Sequence, residues 1–260
     1  MDILLQEKLT TCKLAGIQRC LERVLIEAGT NNWPHITFFE RLIDEEIVCR
    51  ENNRYNRLYK KANFPNLKTI DQFEFKKAPF INKNQILNLV SCEFIDERKN
   101  LIFIGGPGTG KSHITISIGV EACKQGKTVL FFTAASLGNK LVEMQETLQL
   151  SKFIDKLKKV DLLCIDELGY IELSDSTTQL MFQIFSERYE KGSIIVTTNL
   201  EFREWPKIFQ DERMTTAIID RLIHNSNIIT FNGESFRYKT QKQSLIEALE
   251  TKDKLSTVEN

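Results

Sequence analysis

Residues Leu101–Ser112 read Leu-Ile-Phe-Ile-Gly-Gly-Pro-Gly-Thr-Gly-Lys-Ser, an apolar run followed directly by a glycine-rich turn. From Gly105 onward the stretch matches the pattern G-x-x-x-x-G-K-[S/T] without a mismatch. Glycines allow backbone N–H groups to turn inward around phosphate oxygens, and the helix that follows adds the positive end of its dipole. The stretch therefore predicts a buried strand, a phosphate-binding loop and a helix in succession.

The side chains of this loop indicate a nucleotide as the ligand. Lys111 is expected to reach the β- and γ-phosphates of ATP, and the Ser112 hydroxyl is expected to bind Mg²⁺. An ordinary glycine-rich turn is the alternative, but a chance match in such a chain arises only about once in a hundred. The candidate nucleotide-binding residues are Gly105, Gly106, Pro107, Gly108, Thr109, Gly110, Lys111, Ser112 and His113.

Outward from the loop, short apolar runs alternate with stretches of helical periodicity. Continuously apolar strands that alternate with helices are typical of a parallel sheet covered on both faces, so the predicted class is α/β. Strands are expected near residues 101–104, 128–133, 162–165, 194–197 and 228–231. Helices are expected near 86–95, 111–124, 137–157 with a break near Ser151, and 177–189.

The apolar run Leu162–Ile165 ends in two carboxylates, Asp166 and Glu167. Ligands of parallel α/β sheets lie at the carboxyl ends of the strands, so we expect both side chains to face the phosphate-binding loop. Asp166 is the candidate Mg²⁺ partner, and Glu167 is the candidate residue that orients or deprotonates the attacking water. An Asp-Glu pair is also common in solvated loops, but together with the phosphate-binding loop it favours hydrolysis over transfer to a second substrate.

Asn199 and Arg221 are two further candidates for the reaction. Asn199 follows the fourth apolar run and could position the water or sense the γ-phosphate; the alternative is a loop residue that caps the next element. Arg221 could be supplied to the γ-phosphate across a subunit boundary, and the alternative is an ordinary surface arginine on a helix.

The N-terminal region predicts a small helical module. Apolar residues recur at helical spacing from Leu14, the stretch Gly29–Pro34 breaks that helix, and Thr37 with Glu40 predicts a capping box for a second one. The predicted organisation is a helical module for DNA or partner binding at 1–66, a linker at 67–84 that is extended over Leu67–Lys77, a nucleotide-binding domain at 85–238 and a polar tail at 239–260.

Only local charge clusters can indicate nucleic acid, because the 35 basic and 35 acidic residues cancel. One cluster lies on the second predicted helix at spacings of three and four, interleaved with Tyr55 and Tyr59, whereas most charge runs are merely solvated faces. The candidate DNA-binding residues of this cluster are Arg50, Arg54, Arg57, Lys60 and Lys61. A second cluster consists of Lys152, Lys156, Lys158 and Lys159.

The cysteines and the hydropathy pattern predict a soluble, cytoplasmic protein. The six cysteines form no C-x-x-C pair, and with three histidines they give no zinc-ligand spacing. Most of them lie in apolar stretches, where a reduced cysteine behaves as a small hydrophobe. The N-terminus lacks a signal-peptide layout, and no apolar run reaches the ~20 residues that a transmembrane helix needs.

Several longer stretches are more specific than a phosphate-binding loop alone. Besides Gly105–His113, they are Asp161–Tyr170, Phe182–Ser193, Thr198–Leu200 with Glu204-Trp205, and Asp220–Leu222 with Gly233–Arg237. Together they resemble the IstB-like ATP-binding proteins of insertion sequences, transposition helpers related to the DnaC helicase loader within the AAA+ ATPases. The resemblance covers nearly the whole chain, up to about Lys239.

The resemblance implies an AAA+ core without a C-terminal helical lid, ATP-dependent assembly into a homo-oligomer on duplex DNA, and cooperation with a co-encoded transposase. By position it makes Asn199 the sensor-1 candidate and Arg221 the arginine-finger candidate. Arg237 has the place of a second sensor, although such a sensor belongs to the missing lid. The alternatives are a replicative helicase loader of the DnaC type, a metabolic P-loop kinase or transferase, and a nucleotide-gated binding module that barely turns over.

Overall fold

Apolar residues recur at helical spacing through the N-terminal region, and the computed structural model forms only helices there. The structure describes residues 3–233 and residue 235, and the chain divides into two compact units, of which the first ends at Lys60 and the second begins at Lys61. The helices of the N-terminal region are α1 (Ile3–Thr11), α2 (Ala15–Asn31) and α3 (His35–Ala62).

The apolar faces of these helices form a small core of their own. Its buried members are Leu9, Ile17, Cys20, Leu21, Val24 and Leu42. Helix α3 begins at His35, so the predicted capping box of Thr37 and Glu40 is wrong. The carbonyl of Pro34 already accepts the N–H of Phe38 at 3.1 Å, and the fixed φ of proline suits the start of a helix.

A buried carboxylate joins α2 to α3. Glu46, which is 5% exposed, accepts the N–H groups of Gly16 at 2.6 Å and Ile17 at 3.2 Å, and Arg50 Nε donates to it at 2.7 Å. The two backbone donors belong to the first turn of α2, where N–H groups have no partner within the helix. Burial raises the pKa of Glu46, but these hydrogen bonds outweigh it and hold the pKa below its usual value of 4.5.

The second unit alternates strands with helices, as the apolar runs predicted. Its strands are β1 (Asn100–Gly105), β2 (Val129–Thr133), β3 (Leu162–Leu168), β4 (Ser193–Thr198) and β5 (Ser226–Phe231). Its helices are α4 (Lys83–Val90), α5 (Glu93–Asp96), α6 (Lys111–Lys124), α7 (Ala134–Glu146), α8 (Leu150–Lys159), α9 (Asp175–Arg188), α10 (Pro206–Phe209) and α11 (Glu212–Ile223).

The five strands form one parallel sheet in the order β2-β3-β4-β1-β5. Leu101, Ile102 and Phe103 of β1 are all 0% exposed. Because consecutive side chains of a strand point to opposite faces, both faces of the sheet are covered. The predicted α/β class, the parallel sheet and the fifth strand are confirmed. This order also brings the carboxyl ends of β3, β4 and β1 to one edge, where ligands of such sheets bind.

Local turns change several predicted elements. The break predicted near Ser151 is present a few residues earlier, in a turn between α7 and α8 in which Leu148 has a φ of +57°. The helix predicted at 86–95 is divided at Cys92, whose φ is +62°. The segment predicted as extended contains two 3₁₀ turns, Ile70–Gln72 and Phe75–Lys77, and the first is closed by the Thr69 N–H, which donates to Gln72 Oε1 at 3.2 Å.

A buried arginine fixes the start of β3 and β4. Arg188 is 1% exposed, and its guanidinium donates to four backbone carbonyls, those of Leu157, Val160, Asp161 and Ser193. Burial lowers the pKa of Arg188 to about 10, so the side chain stays charged at neutral pH. A Cβ at Gly192 would lie 2.6 Å from Nη2, and the glycine thus gives the guanidinium its room.

None of the helices among the described residues combines the length and the apolar composition of a membrane-spanning segment. The described part of the chain contains all six cysteines, and every one of them is free. The predicted polar tail at 239–260, the predicted absence of a lid and the candidate sensor Arg237 lie outside the described residues.

The substitution Glu46→Gln is predicted to lower the free energy of unfolding of the first unit by about 1–3 kcal/mol, because it removes a charged acceptor from buried donors. Amide hydrogen exchange in α1 and α2 of the full chain measures this. The matched control is Glu45→Gln, since the partners of Glu45, Arg23 and Arg41, are half exposed and ion pairs in contact with solvent contribute little to stability. Equal exchange in the two variants would contradict the role of Glu46.

Candidate nucleotide-binding site

The loop Gly105–Ser112 connects the carboxyl end of β1 to α6, whose first residue is Lys111. Gly108 has a φ of +73° and Gly110 a φ of +101°, left-handed values that glycine adopts at little cost. Side chains at these positions would strain the turn. The loop therefore has the strand–turn–helix context that its sequence pattern requires.

The ammonium of Lys111 is held by its own loop. Lys111 is 7% exposed, and Nζ donates to Gly105 O at 2.6 Å and to Gly106 O at 2.8 Å. Burial lowers the pKa of Lys111, whereas Asp166 and Glu167 act in the opposite direction. The loop thus contains a cation that can exchange carbonyl partners for the oxygens of an anion.

One carboxylate oxygen of Asp166 accepts hydrogen bonds from two hydroxyl groups. Ser112 Oγ donates to Asp166 Oδ1 at 3.0 Å, and Thr197 Oγ1 donates to the same atom. Asp166 ends a buried run of β3 and is 5% exposed, so α6, β3 and β4 meet at this carboxylate. A hydroxyl beside a carboxylate supplies the oxygen ligands that Mg²⁺ prefers, and the pair fits that ion.

Glu167 has an unusual backbone. Its φ is +61°, a left-handed value that costs roughly 1–3 kcal/mol for a residue other than glycine. The residue lies in an irregularity of the β3–β4 pairing between Ile165 and Leu168, and its N–H donates to Thr197 Oγ1 at 3.0 Å. Glu167 is exposed where its neighbours in β3 are buried, and it lines the same cavity as Asp166.

These groups line a cavity of about 580 Å³, a size usual for small-molecule sites. Part of its lining was missed by the sequence predictions, which placed residues 1–66 in a helical module and treated residues 67–84 as a linker only. Those additional lining residues are Pro65, Asn66, Lys68, Gln72, Phe73, Glu74 and Lys77. The apolar residues of this segment, among them Phe73 and Phe75, were the available signal.

His113 joins the phosphate-binding loop to this segment. Its Nε2 lies 3.0 Å from Thr69 O and donates to that carbonyl, and the ring of Phe73 lies edge-on to the imidazole at 5.3 Å. His113 is therefore held from the side of the segment as well as by α6, of which it is the third residue.

Asn199 does not line the cavity, whereas Thr197, two residues earlier, does. The Oδ1 atom of Asn199 is buried and has no hydrogen-bond partner among the described residues. A Cβ at Gly169 would lie 3.3 Å from this oxygen, so Asn199 adjoins the loop that follows Glu167. The sequence predictions singled out Asn199 and passed over Thr197, because strand pairing is needed to see what Thr197 contacts.

Arg221 is held on α11, also away from the cavity lining. Its Nη1 donates to Ala217 O at 2.8 Å, and the guanidinium carbon lies 4.7 Å from the ring centre of Phe182 on α9. A cation over an aromatic face at this distance is a favourable cation–π contact. The guanidinium is therefore restrained in its orientation although it is only half-buried.

Arg50, in the basic cluster of α3, contacts a buried carboxylate. Arg50 binds Glu46 and also donates to Lys13 O at 3.3 Å. The other members of this cluster, all exposed, are Arg54, Arg57, Lys60 and Lys61. On α8 the exposed lysines are Lys152, Lys156 and Lys159, whereas Lys158 pairs with Glu187 at 3.0 Å.

A family model described as IstB-like ATP binding protein matches residues 7–244. The chain is 38% identical over 215 residues to the ATP-binding protein of insertion sequence IS5376 from Geobacillus stearothermophilus, which covers 83% of this chain and 86% of that protein. It is 31% identical over 240 residues to the corresponding protein of IS21 from Pseudomonas aeruginosa, which covers 92% and 91%.

Solved structures with a similar fold include AMPPCP-bound DnaA from Aquifex aeolicus, with a TM-score of 0.54 and 23% identity. That match covers 71% of this chain and 56% of the DnaA chain. DnaI matches with a TM-score of 0.51 and 17% identity, over 65% of this chain and 89% of its own. At these identities the likeness concerns the fold alone, and it agrees with the predicted AAA+ core.

Proposed function

The chain belongs to the family of IstB-like ATP-binding proteins, and from this we propose that it binds and hydrolyses ATP and assists a transposase in moving an insertion sequence. The observation that carries the proposal is the convergence of Lys111, Ser112, Asp166 and Glu167 on one cavity. A cation, a hydroxyl and two carboxylates are the groups that P-loop ATPases use. The relatives are named for insertion sequences, which favours this role over that of a replicative helicase loader.

The proposed chemistry assigns one task to each side chain. Lys111 exchanges its two carbonyl partners for β- and γ-phosphate oxygens, and Glu167 orients or deprotonates the water that attacks the γ-phosphorus. Ser112 and Asp166 would hold a Mg²⁺ ion, which would neutralise charge on the phosphates. The products are ADP and inorganic phosphate.

We propose that Arg221 acts on the ATP of a neighbouring copy. It lies outside the lining of its own cavity, and its contacts with Phe182 and Ala217 O keep the guanidinium in one orientation. An arginine supplied from a neighbour can stabilise the charge that develops on the transferred phosphoryl group. This role requires a homo-oligomer, so slow turnover is expected of a single copy.

Duplex DNA is the proposed platform for this assembly, in the cytoplasm and beside a co-encoded transposase. The exposed basic residues of α3 are the proposed contacts with its phosphates, because they lie on one helix at spacings of three and four. Arg50 is left out of this set, because its bond to the buried carboxylate of Glu46 belongs to the fold of the first unit.

Glu167→Gln is predicted to keep nucleotide affinity and to lower turnover by roughly 100-fold or more, the usual contribution of a general base. Lys111→Ala is predicted to abolish binding, because the cation that meets the phosphates is gone. Phosphate release with Mg²⁺, measured with and without duplex DNA, and binding of a fluorescent ATP analogue test this. The control is Glu172→Gln, which changes an exposed glutamate of the loop after β3. A wild-type chain without ATPase activity under all these conditions would refute the proposal.

Arg221→Ala is predicted to bind ATP and to lose turnover. If Arg221 acts on a neighbour, mixing this variant with Glu167→Gln should restore part of the turnover that each lacks alone, because some interfaces then combine an intact Arg221 with an intact Glu167. Arg213→Ala, an exposed arginine on the same helix, is the matched control and should behave as wild type. Absence of recovery on mixing would argue against action between copies.

Joint replacement of Arg54, Arg57 and Lys60 by alanine is predicted to weaken binding to duplex DNA. The slope of the logarithm of the binding constant against the logarithm of the salt concentration should become less negative by roughly 0.9 for each phosphate contact that is lost. Fluorescence anisotropy over a range of salt concentrations measures both. Joint replacement of Lys152, Lys156 and Lys159 on α8 is the matched control, since it removes the same number of exposed positive charges. If only the α8 variant bound duplex DNA more weakly, the proposed contact on α3 would be wrong and α8 would be the DNA-binding helix instead.

A further inference from the structure

A single buried hydroxyl contacts both carboxylate residues of the site. Thr197 is 1% exposed and lies one residue before the end of β4. Its Oγ1 donates to Asp166 Oδ1 and accepts the N–H of Glu167 at 3.0 Å. A hydroxyl has one proton to donate and two lone pairs to accept with. The Thr197 hydroxyl therefore uses its proton for Asp166 and accepts the backbone N–H of Glu167 on a lone pair.

The position of Thr197 in the sheet explains this double contact. Ile165 of β3 pairs with Val196 of β4, and the next pair is Leu168 with Thr198. Between these pairs β3 has two residues, Asp166 and Glu167, whereas β4 has only Thr197. Two residues opposite one define a β-bulge, in which the regular ladder of backbone hydrogen bonds is interrupted. The Thr197 hydroxyl thus takes the place of a backbone acceptor for the Glu167 N–H.

The bulge decides where Glu167 points. In a regular strand consecutive side chains alternate between faces, so Asp166 and Glu167 would lie on opposite sides of the sheet. With the left-handed φ of +61° at Glu167, both residues line one cavity. A left-handed residue other than glycine persists only where its surroundings hold it, and the bond to Thr197 Oγ1 does this.

We propose that Thr197 is a positioning residue, which keeps the bulge at Glu167 and the carboxylate of Asp166 in the arrangement that ATP hydrolysis requires. The proposal rests on the ATPase function proposed above. Asp166 Oδ1 receives both Ser112 and Thr197, and Ser112 is the partner that would turn to a metal ion. The hydrogen bond from Thr197 to Asp166 would remain and keep the carboxylate in place. The same hydroxyl oxygen accepts the N–H of Glu167 and so holds the backbone of that residue.

The test is the pair Thr197→Val and Thr197→Ser. Valine keeps the shape of threonine and lacks the hydroxyl, and it is expected to lower kcat by roughly 10- to 100-fold, the effect of losing one hydrogen bond to a charged group. The affinity for a fluorescent ATP analogue should stay close to that of wild type, because Thr197 makes no hydrogen bond to the phosphate-binding loop residues that hold Lys111. Serine keeps the hydroxyl and should restore most of kcat.

Thr115→Val is the matched control. Thr115 on α6 is 0% exposed and its Oγ1 has no hydrogen-bond partner among the described residues, so the same chemical change removes no bond there. It should leave kcat unchanged. If Thr197→Val lowers the melting temperature but turns over as wild type per folded molecule, the residue is merely structural and the proposal fails.

A second readout does not depend on hydrolysis. A crystal structure of Thr197→Val is expected to show Glu167 with a negative φ, and that of Thr197→Ser is expected to keep the left-handed bulge. An unchanged bulge in Thr197→Val would overturn the positioning role even if the wild-type chain is an active ATPase. A wild-type chain without ATPase activity would refute the proposed function instead, and the two structures would still decide whether Thr197 holds the bulge.

Discussion

Two hydroxyl groups on one oxygen of Asp166 connect parts of the chain that are far apart in sequence. Ser112 comes from the first turn of α6, Asp166 from the end of β3 and Thr197 from the end of β4. The apolar core supplies most of the stability of the sheet, but it does not by itself decide how polar side chains meet at its edge. A buried carboxylate is costly without donors and strongly oriented with them, so this cluster fixes the geometry on which the site depends.

The same principle recurs at two places remote from the site. Arg188 satisfies four carbonyls around the starts of β3 and β4, and Glu46 satisfies two N–H groups at the start of α2. In each case a buried charged side chain forms hydrogen bonds with backbone groups that have no partner within the helices and strands. Both charged residues have a glycine beside them, Gly192 next to Arg188 and Gly16 next to Glu46. A side chain at either position would displace the charged residue or its backbone. Arg188 itself, in the stretch Phe182–Ser193, thus serves the fold.

Features that depend on neighbours in sequence were predictable, and features that depend on pairing were not. The loop Gly105–Ser112, the parallel sheet and the carboxyl-end position of Asp166 follow from apolar runs and one local pattern, and the structure places them as expected. The bulge opposite Thr197 arises from the register between β3 and β4, which no single stretch reveals. The contribution of residues 65–77 to the cavity was missed for the same reason, since it results from packing against α6.

The two hydrogen bonds from Lys111 to carbonyls of its own loop bear on competition among anions. The ammonium has three N–H donors, and these carbonyls use two of them, so an anion that contacts Lys111 alone meets a charge already partly neutralised by dipoles. A single phosphate ion offers few compensating contacts, whereas a polyphosphate chain can also engage the backbone N–H groups along the turn. The loop is therefore expected to bind a polyphosphate chain more tightly than a single phosphate ion, and orthophosphate, a product of the proposed reaction, is expected to inhibit the next turnover only weakly.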